Sequence, residues 1–180
     1  MSARPIARRA LLGGLVCLAV ARSARAALPP ISMAEHERCM RLAIAEARRN
    51  PFYPFGAVIV RPETGETVAR GVNDSQANPI LHGEIACLND YVKGHGNRDW
   101  SSMVLYTTGE PCSMCMSALV WAGIGGVVFA SSIDGVRRAG IDQIAITAKQ
   151  VADASPFYRG LLLGGVLAPE TDRMFMDRRR

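Results

Sequence analysis

Met103-Val-Leu-Tyr-Thr-Thr-Gly-Glu-Pro-Cys-Ser-Met-Cys115 changes character half-way along. Residues 103–107 are apolar and β-branched, the composition of a strand. Pro111 then opens a helix that carries Met114, Leu119 and Val120, and Gly125-Val-Val-Phe-Ala130 follows as another strand. Working outward, Ser32-Met-Ala-Glu35 is a capping box, and Met40, Ala43, Ile44 and Ala47 recur at helical spacing until Asn50-Pro51 stops them. Residues 55–60 and 67–72 flank a turn containing Pro62 and Gly65 and read as a hairpin. A helix starts around 79–82 and runs through Ile85 and Leu88 toward Gly94. Downstream, 151–157 is ambiguous, 161–167 reads as a fifth strand and 170–178 as a closing helix. Strands separated by helices of this length imply one α/β domain: a three-layer α/β/α sandwich around a mixed, about five-stranded sheet.

The chain has 180 residues, 49% of them hydrophobic and 21% charged, the composition of a globular protein of one domain. The longest uncharged apolar run, 10–21, falls short of the ~20 residues needed to cross a bilayer. A formal charge of +5 invites a nucleic-acid reading, but Arg4, Arg8, Arg9, Arg22 and Arg25 all fall within residues 1–26, which hold no acidic residue. Without them 16 basic residues face 16 acidic ones, and the footprint expected of a polyanion-binding protein disappears. The terminal run Arg178-Arg179-Arg180 reads as a solvated end.

That N-terminal segment has the layout of an export signal: a basic head, a short apolar middle and the small-x-small end Ala24-Arg25-Ala26. Arg8-Arg9 directly before the apolar run resembles a twin-arginine signal, which exports folded proteins. Residues 1–26 are therefore read as removable, 27–180 as the folded domain, and the location as periplasmic or secreted. A start at Met33 is the alternative.

Four cysteines and three histidines remain once Cys17 leaves with the signal. Cys112 and Cys115 are three residues apart, which places both sulfurs on one face of a helix's first turn, where the positive helix end favours the metal-binding thiolate. Alone, Cys-x-x-Cys fits a redox pair equally well. His82-Gly83-Glu84 stands at another helix start. One imidazole and two thiolates fill three positions of a tetrahedral zinc site and leave one for water, the pattern of a catalytic site. Cys39 and Cys87 read as small core residues, and His36 and His95 as surface or loop histidines.

His-x-Glu followed by Pro-Cys-x-x-Cys resembles the signature of the zinc-dependent nucleobase and nucleoside deaminases. Residues 54–60, Gly71-Val-Asn73, Asn78-Pro79, the run from Thr108 to Cys115 and residues 125–129 fall in the order displayed by its purine branch, guanine deaminase and tRNA adenosine deaminase. The resemblance covers about 33–142 and implies the cytidine deaminase-like fold. It implies that His82, Cys112 and Cys115 hold one Zn2+ that activates water, while Glu84 shuttles protons to a ring nitrogen and to departing ammonia. Asn73 matches the amide that holds the base edge, and Phe55 and Trp121 match aromatics lining a purine pocket. Each has a plainer reading: Asn73 as a left-handed turn residue, Phe55 and Trp121 as core, Glu110 as a helix-capping group. Gly83 replaces the usual alanine, a change expected to leave ligation undisturbed. The loop from Asn73 to His82 is about two residues shorter than in the purine relatives. Guanine deaminases carry consecutive aspartates after an Ala-Gly-aromatic segment, the second helping to discriminate the base; here Ala139-Gly-Ile-Asp142 is followed by Gln143, an amide in place of that carboxylate. The function implied is hydrolytic deamination of a free purine base or nucleoside by a homodimer, with no nucleic-acid partner. Wobble-adenosine deamination of tRNA and a non-enzymatic zinc-stabilised binding domain are the alternatives.

Overall fold

The computed structural model describes residues 28–180, and the export signal read at 1–26, with its Cys17, lies outside the described residues. Helix α1 (Met33–Ala47) begins at Ser32, whose hydroxyl accepts from the Glu35 N–H at 3.2 Å. Strands β1 (Gly56–Arg61) and β2 (Glu66–Val72) form the expected antiparallel hairpin. Helix α2 (Gly83–His95) leads through a 3-10 turn, Trp100–Ser102, into β3 (Val104–Gly109). Helix α3 (Ser113–Ala122) and β4 (Gly126–Ser131) complete the unit on which the reading was based. Then come α4 (Ile133–Arg138), α5 (Ala148–Asp153), β5 (Leu161–Leu163) and α6 (Ala168–Met176).

The sheet runs β2-β1-β3-β4-β5, antiparallel on the hairpin side and parallel from β3 to β5. Both faces are covered, which is why residues 58–60 and 104–106 read as continuous apolar runs and not as alternation. Ala57, Ile59, Leu105 and Val127 point into one core with α2, α3 and α5, including Cys87, Tyr91, Met116, Leu119 and Ala148. Val58, Val60, Val104, Tyr106 and Val128 point the other way, onto Cys39, Met40, Ala43 and Ile44 of α1. The three-layer sandwich is as expected. Gly71 lets α2 lie directly on β2, because a Cβ there would collide with the backbone of Gly83 and Cys87.

Three local readings change. Helix α4 was not foreseen; Ser132 starts it by accepting from the Gly135 N–H at 3.1 Å. The ambiguous stretch becomes α5, which starts earlier, at a capping box between Thr147 and Gln150. The fifth strand is shorter than predicted, since Gly165 at φ 88° turns the chain toward α6.

His36 is not a surface residue. It is 5% exposed, with Nδ1 3.0 Å from the Tyr106 hydroxyl, and it shares the α1 stripe with Met40, Ala43 and Ala47. His95 closes α2 with Nε2 3.1 Å from the Val68 carbonyl and its ring stacked on Tyr91.

Burial lowers the pKa of His36 from the ordinary 6.5, against an opposing pull from Glu35. The unfolded chain therefore takes up a proton that the folded chain resists, and stability is lost as pH falls below about 6.5. His36→Gln keeps a polar partner for Tyr106 and does not titrate. The stability of the wild type relative to this variant, from urea unfolding at fixed zinc, is expected to decline between about pH 7.5 and 5.5; a constant difference would contradict the assignment.

Candidate active site

Two helices begin at the same point. His82 is the residue before α2 and Cys112 the residue before α3, and neither side chain caps its own helix, so both remain available to bind something else. Cys115 follows in the first turn of α3. His82 Nδ1 stands 3.6 Å from Cys112 Sγ and 3.6 Å from Cys115 Sγ. Tetrahedral zinc, with bonds of about 2.3 Å to sulfur and 2.0–2.1 Å to nitrogen, gives an N···S edge of about 3.6 Å, so this donor set fits the ion. Among the described residues, these are the His, Cys, Asp and Glu side chains grouped closely enough to share a metal.

The electrostatics favour a cation. The Cys112 pKa is lowered to about 4, first by the hydrogen bond from the Cys115 thiol, then against burial by His82 and the Cys115 backbone N–H at the start of α3. The same hydrogen bond, and then burial, push the Cys115 thiol up. A positive ion bound between them would favour the thiolate form of both sulfurs.

Glu84, in the first turn of α2, is 3% exposed and outside the donor group. Burial raises its pKa, and Thr107 Oγ1 donates to its Oε1 at 3.1 Å. The carboxyl is thus held beside the metal donors without binding to them.

A cavity of about 160 Å³ opens over these groups, lined by Tyr53, Phe55, Asn73, Ser75, His82, Glu84, Glu110, Cys112, Ile141, Asp142 and Gln143. Asn73 is buried, and its Oδ1 accepts from the Ser75 N–H and hydroxyl at 3.1 and 3.0 Å. That fixes the amide's orientation and leaves Nδ2 as the donor. Asn73 does make a turn, but its φ is not positive; among the described residues only Asp99 and Leu167 are non-glycines with positive φ. Phe55 lines the cavity and packs on Phe175 at 4.8 Å between ring centroids. Asp142 is exposed and Gln143 half-buried at the rim. Trp121 is not brought to the cavity: it stands on the outer side of α3, 79% exposed, with its ring tilted against Phe157 at 5.2 Å between centroids.

Glu110 is a capping group, though for two helices other than the one it precedes. Its Oε2 accepts from Ile133 N–H at 2.9 Å and its Oε1 from Ala148 N–H at 2.8 Å, the first residues of α4 and α5. The segment between those helices carries Ile141, Asp142 and Gln143. Thr108 joins β3 to the opposite wall, donating to the Pro54 carbonyl and accepting from Gly56 N–H, both at 3.1 Å. Asn50 accepts from the N–H groups of Phe52 and Tyr53 and donates to the Asn73 carbonyl. Sequence reasoning missed Asn50, Tyr53, Ser75, Thr107, Thr108 and Ile141 as site residues. Thr107 and Thr108 adjoin the Glu-Pro-Cys motif, the one signal available for them.

Residues 33–131 match the sequence profile of the cytidine and deoxycytidylate deaminase zinc-binding region, more than half of the chain. The chain belongs to this deaminase family. It is 35% identical over 91 residues to guanine deaminase of Bacillus subtilis, an alignment covering 49% of this deaminase and 57% of that protein, little more than half its length. It is 30% identical over 140 residues to tRNA-specific adenosine deaminase of Streptococcus pyogenes, covering 74% and 80% of the two chains. Among solved structures, guanine deaminase from Bacillus subtilis superimposes with a TM-score of 0.56 at 32% identity, over 60% of this chain and 71% of the other. A protein crystallised with 8-azaguanine shares the fold, with a TM-score of 0.69 at 24% identity over 78% and 83%.

Gly83 has a spatial role in this deaminase. A Cβ there would stand 2.7 Å from the Phe55 carbonyl oxygen, which accepts from the Asn73 N–H at 2.9 Å. Gly83→Ala gains about 1 kcal/mol of helix propensity but presses on backbone in a packed site, at a cost of about 1–3 kcal/mol. A net loss in denaturant unfolding is expected. A stabilised variant would show that the wall carrying Phe55 yields freely.

Proposed function

We propose that this protein is a zinc-dependent hydrolase that replaces the exocyclic amino group of a free purine base or nucleoside with oxygen, consuming water and releasing ammonia. The observation that carries this reading is a metal-donor trio and a non-ligating buried carboxyl facing one cavity edged by an amide donor and aromatic rings. A cavity of about 150 Å³ accommodates benzene, so one of about 160 Å³ is on the scale of a small planar ring.

A zinc ion held by His82, Cys112 and Cys115 would supply Lewis acidity and make water a nucleophile near neutral pH. The chain's own groups do the rest. Glu84, kept able to hold a proton by burial and aimed by Thr107, takes one from the attacking water and gives it to the ring nitrogen beside the amino-bearing carbon, then passes the proton left on the added oxygen to the departing ammonia. Asn73 Nδ2 donates to the base edge, Phe55 and Tyr53 flank the ring, and Asp142 and Gln143 meet its far side. Similarity to guanine deaminase supports a guanine-like base. A second reading, deamination of adenosine in tRNA, is favoured by the longer alignment with the tRNA enzyme. The neutral charge of 27–180 and a twin-arginine signal weigh toward the small substrate in an exported, periplasmic or secreted protein. Pairing of two copies through the outer side of α3 would cover Trp121 and Phe157.

Metal-loaded protein is expected to release ammonia from guanine in a panel with adenine, adenosine, cytosine and cytidine. Glu84→Gln should keep its zinc and lose at least about a hundredfold in kcat. Ammonia from none of these bases would contradict the reading, and turnover retained by the Gln variant would remove Glu84 from the chemistry.

A further inference from the structure

The cavity has two walls on separate loops, one carrying Tyr53 and Phe55, the other Ile141, Asp142 and Gln143. The C-terminal residues reach both. Arg178 Nη1 donates to the Ala139 carbonyl at 2.6 Å and to the Phe175 carbonyl at 3.0 Å, and Nη2 donates to the Gly140 carbonyl at 3.2 Å. The next residue, Arg179, donates its backbone N–H to the Pro51 carbonyl at 3.0 Å. One turn earlier, buried Phe175 packs against Phe55. The end of α6 therefore bridges the two walls of the base pocket, with a guanidinium fork on one side and a backbone hydrogen bond on the other.

The position of the fork matters. Ala139 and Gly140 immediately precede Ile141, and Gly140 has φ 78°, a turn that side chains resist. Glu110 anchors the far end of the same loop at Ala148. Between Gly140 and Ala148 backbone-to-backbone bonds are few, Ile141 N–H to the Val136 carbonyl and Ile146 N–H to the Ile144 carbonyl, so beside the packing of Ile141 on Val136 and Phe175 the two charged anchors at its ends hold the loop. Arg178 has no carboxylate partner among the described ion pairs, and its donors are given to carbonyls.

We propose that Arg178 is a positioning residue for substrate recognition, setting the wall that carries Ile141, Asp142 and Gln143 across from Tyr53 and Phe55. It touches neither the metal donors nor the cavity that holds the base. This rests on the pocket assignment made under the proposed function, and it names the chain's last turn as the element that fixes the pocket's width. A residue serving only to cap α6 would alter melting temperature and leave base affinity alone.

The test uses the full chain, zinc-loaded, as wild type, Arg178→Ala, Arg178→Lys and Arg180→Ala, the last because Arg180 makes no hydrogen bond among the described residues. Amide exchange by mass spectrometry follows the segments 139–147 and 50–55, zinc content is measured on each protein, and steady-state kinetics are run on guanine. Arg178→Ala is expected to speed exchange in 139–147, to raise KM about tenfold with kcat within about threefold, and to keep one zinc per chain. Arg178→Lys should recover part of both effects, and Arg180→Ala should match wild type. Unchanged exchange in 139–147, or faster exchange with an unchanged KM, overturns the proposal. If the wild type turns over no base, the pocket assignment fails separately, and the exchange data alone then decide whether Arg178 holds the loop.

Discussion

Everything in this molecule is arranged around two helix beginnings that meet. A helix start exposes unpaired N–H groups and a partial positive charge, and a side chain such as Ser or Asp would normally satisfy them. Here His82 and Cys112 take those positions without capping, so both side chains are left to the donor set, and the Cys115 thiol, then His82 and the Cys115 backbone N–H, lower the Cys112 pKa. The sheet makes the meeting possible. β3 delivers the chain to Cys112 from beneath, and α2 lies so close on β2, through Gly71, that His82 arrives beside it. The cost is a pair of buried sulfurs in want of a cation, which is why the arrangement belongs to a family defined by its zinc-binding region.

Around that centre the cavity is made of loops, and each loop is tied down by a polar side chain. Asn50 holds the segments before Phe55 and after Asn73; Thr108 holds Pro54 and Gly56; Glu110 spans two helix starts on the other side. These are hydrogen bonds between a side chain and backbone, and most side-chain hydrogen bonds in folded proteins go to backbone or water. The shape of the cavity is therefore set by residues that position its walls as well as by Asn73, Asp142 and Gln143, which line it.

Much of this was legible beforehand, for identifiable reasons. Long apolar runs and strong caps such as Ser32 define elements locally, so α1, the hairpin and the strand-helix-strand unit at 103–130 were readable. The donor trio was readable because its chemistry lies in residue types at short spacing. What was not legible depended on neighbours distant in the chain. His36 belongs to the core because Tyr106, seventy positions on, offers it a hydroxyl. Trp121 matched a pocket aromatic by position, but α3 turns it outward. Glu110 caps helices that begin 23 and 38 residues away, which no local pattern signals. That Gly83 also makes room for the Phe55 carbonyl could be seen only once the two segments were brought together.

X-ray absorption at the zinc edge on the purified, metal-loaded chain examines the central claim most directly. The account predicts one zinc per chain with two sulfur neighbours, one imidazole nitrogen and one further light atom that exchanges with solvent or an added base. A shell filled by four protein donors, or one lacking either sulfur or the imidazole, would contradict it.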